Sequence, residues 1–412
     1  MKTSKLIAVG ALGLAFVNPA AGLTLEEADR LTLERSPEIA ALRAAVASAD
    51  GAVRQAGAIP NPVLALEAED FGFDRPGWDD SQLTLTFEQP VELGGKRAAR
   101  RDERRSARDV AAAELDIRIR DLRAEVRRSF AAGLHAQERV RILHETLETV
   151  AEISAAVGEL VRAGEVSPVE KLRAENEAAL ARADHEVGHG ELLVATRRLV
   201  ALWGGVAADA ETLDGQLPHD SAAAEHDDVL LPPDDLPDLA AREAEIRRLE
   251  SAVQREKRNR IPDATLTLGM RRFPGMDEHT FIAGVGLPLP LFDRNRGAIE
   301  EATADLERAR HERDALAIRL ARDLDSARQK LRSVQSETKL LHDDILPRSR
   351  EILAAMEEGY RRGKFRLLDL LDARRTTLAA ELRCNDAHFG LELARIEVQR
   401  LAGAAAPATE DR

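Results

Sequence analysis

Four short stretches of this chain alternate apolar and polar positions, the period of a β-strand with two unlike faces. In Gln82–Glu88 one face holds Leu83, Leu85 and Phe87, and the other holds Gln82, Thr84, Thr86 and Glu88. Val63–Asp70 precedes it as a hairpin partner with a less clean pattern, because Glu67 and Glu69 fall on the face of Val63 and Ala65. Further along, Thr265–Arg272 separates Leu266, Leu268 and Met270 from Thr265, Thr267 and Arg271. Thr280–Leu287 separates Phe281, Ala283, Val285 and Leu287 from Thr280, Ile282, Gly284 and Gly286. Period-2 alternation with small or polar residues on one face predicts barrel strands. The connecting loops hold Phe71, Phe73, Trp78 and Phe273, as an interfacial aromatic girdle would.

The remaining apolar positions have helical periods. Moderate helices are predicted at about Leu25–Gly57 and Leu239–Arg260, each ending shortly before a proline. After each hairpin comes a much longer run. Lys96–Arg162 contains no proline and carries two rows spaced by seven, one of Leu115, Leu122, Ser129, Ala136, Leu143, Val150 and Val157, the other of Ile119, Val126, Gly133, Val140, Leu147, Ser154 and Val161. The second half repeats the pattern with Ile299, Leu306, Arg313, Leu320, Ala327, Val334 and Leu341, is interrupted at Pro347, and resumes to about Arg362. Sustained heptads predict left-handed supercoiled packing. About 67 residues at ~1.5 Å each make a rod of roughly 100 Å. Both rods turn sharply at a glycine, Gly164 or Gly363, and return as another helix. Ser167-Pro168-Val169-Glu170 opens the first return as a capping box with proline at the first helical position.

The order of elements occurs twice, and so do local sequences. Ser36-Pro37-Glu38-Ile39-Ala40-Ala41 returns as Leu236-Pro237-Asp238-Leu239-Ala240-Ala241, and Ile59-Pro60 as Ile261-Pro262. The segment from Gly164 to Ala174 aligns with Gly363 to Ala373. Such a repeat must be read before any local motif. It divides the chain into an N-terminal segment at 1–22, a first repeat at 23–204, a linker at 205–236 that is acidic and holds Pro232-Pro233, a second repeat at 237–403 and a flexible tail at 404–412. The predicted fold is mainly α with a small β part: long coiled-coil helical hairpins and four amphipathic strands per chain, in duplicated halves.

Composition agrees with long helices: aromatics are 3% of residues and charged residues 32%. A formal net charge of −14 speaks against a nucleic-acid surface. Lys2 and Lys5, the apolar run Leu6–Val17 and the small residues before Leu23 read as a secretory signal. Cys384 is the single cysteine, so no disulfide framework is available. No segment has the ~20 apolar residues of a membrane-spanning helix, so if the chain spans a membrane it must do so as a β-barrel. Four strands cannot close a barrel, so closure requires several chains in a ring.

These features together resemble the TolC family of outer-membrane efflux channels over essentially the whole mature length. Glu92-Leu93-Gly94-Gly95-Lys96-Arg97 and the run from Pro288 to Gly297 look most like the cobalt–zinc–cadmium resistance branch. The most specific match is Tyr360-Arg-Arg-Gly363-Lys-Phe365-Arg-Leu-Leu-Asp369-Leu-Leu-Asp372-Ala373. The resemblance implies a homotrimer with a 12-stranded barrel in outer-membrane lipid and a helical tunnel in the periplasm. It implies a passive duct, supplied by an inner-membrane RND-type pump through a periplasmic adaptor (a membrane fusion protein), with no catalytic residues and no cofactor. Carried over, Asp369 and Asp372 line a constriction of the pore, and Tyr360 links neighbouring helices there. The three-residue spacing independently puts both carboxylates on one helix face. Phe365 departs from the basic residue that helps lock the closed end in the family. The tips, with Arg162, Gly164 and Val166 in one repeat and Arg362, Gly363 and Phe365 in the other, are the expected adaptor docking surface. The branch-like motifs favour divalent heavy metals as cargo; a multidrug or protein-secretion duct is the alternative within the same fold.

One motif points to an enzyme. His185-Glu186-Val187-Gly188-His189 is a literal H-E-x-x-H, the zinc-protease pattern. Gly188 and Gly190 weaken that helix, and Leu192 and Ala195 occupy positions where an extended motif needs glycine and histidine. Cys384 and His388 are four apart and could bind a soft metal, but the sequence favours a small buried residue beside a helix-packing histidine. The other histidines are scattered, so the sequence assigns no metal site.

Overall fold

The computed structural model describes residues 22–70, 81–206, 212–218, 236–273 and 278–403. The signal-like segment before Gly22, the loop with Phe71, Phe73 and Trp78, most of the linker and the tail lie outside the described residues. The elements, in order, are α1 (Leu25–Arg35), α2 (Pro37–Ala56), β1 (Val63–Glu69), β2 (Gln82–Val91), α3 (Lys96–Arg162), α4 (Pro168–Ala201), α5 (Pro237–Asn259), β3 (Ala264–Phe273), β4 (Glu278–Gly286), α6 (Arg296–Leu340), a π-turn (Leu341–Ile345), α7 (Leu346–Arg361) and α8 (Leu367–Leu401). The described residues fall into two compact units, one within the ranges 37–124, 221–333 and 394–412, the other within 1–36, 125–220 and 334–393.

The first of these units contains the sheet, antiparallel in the order β1-β2-β3-β4. β2 of one repeat pairs with β3 of the other, which fuses the two hairpins. Register explains the untidy pattern of β1. Leu64 and Leu66 lie opposite Phe87 and Leu85, which face Leu268 and Met270, which face Ala283 and Phe281. That apolar face is exposed throughout, with Phe281 at 88% and Val285 at 72%. Glu67 belongs to the opposite face, in a row with Thr84, Arg271 and Thr280. There Arg271 Nε donates to Thr84 Oγ1 at 2.9 Å and its guanidinium lies 3.5 Å from Glu69. An outward apolar band with a polar interior inverts the arrangement of a water-soluble sheet and suits lipid.

Strand-to-helix junctions are pinned by the branch-like motifs. Gly94 has φ +69, and a Cβ there would lie 2.5 Å from Ile261 Cδ1, so glycine is required for both conformation and space. Lys96 Nζ and the Leu93 N–H both reach Asp263, at 2.9 and 3.1 Å. In the second repeat Asn295, at φ +54, donates to the Glu256 carbonyl and carboxylate at 2.9 and 2.7 Å. Below the sheet, Ile246, Leu249 and Val253 of α5 bury against Leu306 and Ala309 of α6.

In the other unit, α1, α3 and α4 build a core around Val126, Phe130, Leu199 and Trp203. The stretch read as a linker is docked where it is described. Leu23 N donates to the Thr212 carbonyl and Asp214 N to the Leu23 carbonyl, each at 2.9 Å. Gln137 brackets Leu213 by accepting from its N–H at 3.1 Å and donating to its carbonyl at 3.2 Å. Leu213 drops onto Gly133, where an added Cβ would stand 2.2 Å from its Cδ1.

One helix expectation is corrected and another refined. The first helix is broken at Ser36, because Pro37 pushes the residue before it into an extended conformation (φ −62, ψ 120) and then starts α2. Pro347 marks an interruption of the second rod as an α-helix, but the helical path continues through it. Proline cannot donate to the carbonyl four residues back, and the chain accommodates this by widening into the π-turn, whose Leu346 N–H reaches Leu341 O.

Candidate functional site

The tips of the two helical hairpins use one turn chemistry. After α3, Glu165 N donates to Leu160 O at 2.9 Å and Gly164 N to Val161 O at 3.0 Å. After α7, Lys364 N donates to Gly359 O at 2.8 Å and Gly363 N to Tyr360 O at 2.9 Å. Both are Schellman turns, with Gly164 at φ +79 and Gly363 at φ +69. Nothing lies within 4 Å of a Cβ built on either glycine, so backbone conformation alone selects them.

Charged residues surround each turn. Arg162 is exposed and pairs with Glu159, and Arg362 pairs with Glu358 at 2.5 Å. The repeat-equivalent of Arg162 is Arg361, which shares Glu358 at 3.9 Å and which sequence reading passed over. Val166 packs on the cluster of Val157, Ala174, Leu367 and Leu371. Phe365, half exposed, lies over Gly359, where a Cβ would meet its ring at 2.2 Å. The equivalent pair in the first repeat is Leu160 and Val166, so the two turns exchange large and small residues.

Tyr360 is half buried between two apolar clusters, one with Val157 of α3 and Ala174 of α4, the other with Leu353 of α7 and Leu370 of α8. It thus ties helices of both repeats together within one chain. Burial, with the charge of Glu170 nearby, pushes its phenol above the ordinary tyrosine range.

Asp369 and Asp372 stand one turn apart at the start of α8. Asp369 accepts from the Arg366 backbone N–H at 3.1 Å and from its guanidinium at 3.4 Å. These bonds from Arg366 hold the Asp369 carboxyl below its ordinary range, so it is charged at neutral pH. The contact is the N3 half of a capping box. In α4 the N-cap side chain acts instead, with Ser167 Oγ accepting from the N2 amide of Val169 at 3.3 Å. Arginine replaces that serine at the second tip, and Asp369 takes over the capping. Asp372 is exposed; Arg375, beside it, is bound to Glu177 of α4 at 2.8 Å.

The H-E-x-x-H motif lies on α4. The rings of His185 and His189 meet edge-on at 4.6 Å, and Glu186 is exposed. Gly188 is buried against α3, and a Cβ there would come within 3.0 Å of Leu143 Cδ1. The glycine is therefore a packing residue. Among the described residues, the three side chains gathered as metal ligands would be are His342, Cys384 and His388. Sequence reading had the last two and missed His342, which sits on the π-turn; no local pattern links that turn to α8.

The sequence matches the family described as "Outer membrane efflux protein" over residues 30–205 and 235–404. The chain is 34% identical to the cobalt-zinc-cadmium resistance protein CzcC of Cupriavidus metallidurans, over 89% of this chain and 87% of that protein. It is 27% identical to the nickel-cobalt-cadmium resistance protein NccC of Alcaligenes xylosoxydans xylosoxydans, over 70% and 65% of the two. In fold it is similar to the crystal structure of CusC, a transmembrane channel, with TM-score 0.75, 16% identity and 92% of each chain covered. The resemblance read from the tip and junction motifs therefore holds, including its branch. An efflux duct has no use for a protease centre, and the chain is not an enzyme. Its place is the cell outer membrane, with a helical extension in the periplasm. The chain belongs to the outer membrane efflux protein family.

Proposed function

We propose that this channel is the exit duct of a tripartite system that expels divalent heavy-metal cations. In this reading three chains close a 12-stranded barrel, an inner-membrane RND-type pump supplies the cargo, and a periplasmic adaptor joins the two by docking at the hairpin tips. The observation that carries the assembly is the sheet: its apolar face is exposed, and its outer strands β1 and β4 are edges that a neighbouring chain would complete. Similarity to CzcC over nearly the whole chain supports the cargo. Deleting the gene should sensitise cells to zinc, cadmium, cobalt or nickel. Unchanged metal tolerance with new sensitivity to dyes or detergents would move the assignment to a multidrug duct.

At the tips, Arg162, Gly164, Val166, Arg362, Gly363 and Phe365 form the adaptor surface. Exposure of both arginines and the matched turns support this. Asp369 and Asp372, repeated by threefold symmetry, place six carboxylates around the pore, with Tyr360 bracing the helices that carry them. The depressed Asp369 carboxyl and the exposure of Asp372 support a charged ring. Arg366 offsets part of that charge, so Asp372 is the stronger cation ligand of the two.

A further inference from the structure

We propose that His342, Cys384 and His388 form a binding site for a thiophilic transition-metal cation of the Zn2+ or Cd2+ class. Cys384 and His388 are four residues apart on α8 and so share one face, with Sγ 4.0 Å from Nε2. His342 comes from the π-turn across from them, its ring 5.4 Å from that of His388 and inclined by 59°. The three ligand atoms lie within 4.8 Å of one another. A tetrahedral zinc ion needs ~2.3 Å to sulfur and ~2.0–2.1 Å to nitrogen, hence ligand separations of roughly 3.3–3.6 Å. Bringing in the exposed His342 takes about 1 Å of movement, within reach of side-chain rotation, and Cys384 and His388 must approach each other by a further ~0.4 Å through their own side-chain torsions.

Position supports a ligand as well as proximity. The cluster lines a cavity of about 590 Å³, which Leu134, Gln137 and Leu217 also border. That cavity adjoins the three side chains and would leave a fourth coordination position to water. Cys384 and His388 are themselves buried, at 3% and 6% exposure, so two ligands are preorganised and the third closes from the surface. A π-turn widens the helix by one residue and often marks a functional position; here it holds His342. One thiolate and two imidazoles favour zinc, cadmium and cobalt over magnesium or calcium, which prefer oxygen. On binding, the thiol proton leaves to water as the sulfur–metal bond forms.

Duplication supplies an internal contrast. Cys384 and His388 are the repeat-equivalents of His185 and His189, since 384 − 185 and 388 − 189 are both 199. In the first repeat His144 approaches His185 at 5.3 Å between rings but pairs with Glu148 at 3.3 Å, and that trio does not gather its ligand atoms. The proposal does not depend on what the duct exports, because it concerns a resident ion measured on the isolated channel.

The test is a Co2+ titration of the purified, tag-free full-length channel in detergent, followed by absorbance. The expected result is one Co2+ per chain, with a thiolate-to-cobalt charge-transfer band that Zn2+ abolishes and Mg2+ leaves intact. Cys384→Ser should remove the band, and His342→Ala should weaken Co2+ binding at least tenfold. His185→Ala should leave both unchanged. His342 is exposed, so its variant keeps the test open even if Cys384→Ser fails to fold. Absence of the band in the parent channel would overturn the proposal, as would a band and affinity unaltered in His342→Ala.

Discussion

At the residue scale, single positions at the tips do different work for physical reasons that can be separated. Gly164 and Gly363 have open space where a side chain would go, so alanine there meets only the left-handed backbone, at a cost of roughly 1–2 kcal/mol. Gly164→Ala and Gly363→Ala should each lower stability by about 1 kcal/mol in denaturant unfolding, with asparagine milder. Gly359 is the opposite case: its backbone is helical and its space is filled by Phe365. Gly359→Ala should therefore expel the Phe365 ring and raise protease cleavage at that turn, whereas the double variant Gly359→Ala/Phe365→Val should restore the parent rate.

Asp369 adds a pH dependence. Its folded carboxyl lies below the unfolded value, so its capping contribution is fully present above the ordinary carboxylate range and is lost as pH falls through the depressed value. Hydrogen exchange at the start of α8, corrected for intrinsic rates, should lose protection across that acidic window in the parent and show no such step in Asp369→Asn. Superimposable profiles would mean the cap contributes nothing. The spacing of Asp369 and Asp372 was legible in the sequence, as were both turn glycines. The cap was not, because it depends on Arg366 standing where the first repeat has Ser167.

At the scale of elements, period and punctuation carried far. The 67-residue α3 ends where the sequence places its ends, since Gly95 precedes it and Gly164 terminates it. Alternation located all four strands. What it left unassigned was which face of β1 meets the lipid, because Glu67 and Glu69 confuse the pattern until pairing with β2 fixes the register. Two features depend on contacts between segments distant in sequence. One is the docking of Leu213 onto Gly133; the other is the approach of His342 to α8. Neither leaves a periodic trace. Gly133→Leu should displace the docked segment, removing the bracket that Gln137 makes, and so expose the linker to proteolysis near Thr212. A cleavage pattern matching the parent would show that this docking is dispensable.

At the scale of the whole molecule, the single chain presents surfaces that only an assembly in a membrane satisfies. The sheet turns its apolar side outward, and no described helix is long and apolar enough to cross a bilayer. Joining three sheets edge to edge would satisfy every strand and give the apolar band one solvent, lipid. Threefold symmetry would also gather the tip carboxylates, concentrating cations at the pore and letting the acids titrate as a group. The measurement that reaches this account most directly is planar-bilayer recording of the purified protein. The account predicts stepwise, cation-selective conductance blocked by divalent ions from one side, with the block and selectivity lost in Asp369→Ala/Asp372→Ala while the steps persist. A folded protein that inserts without conductance would contradict it.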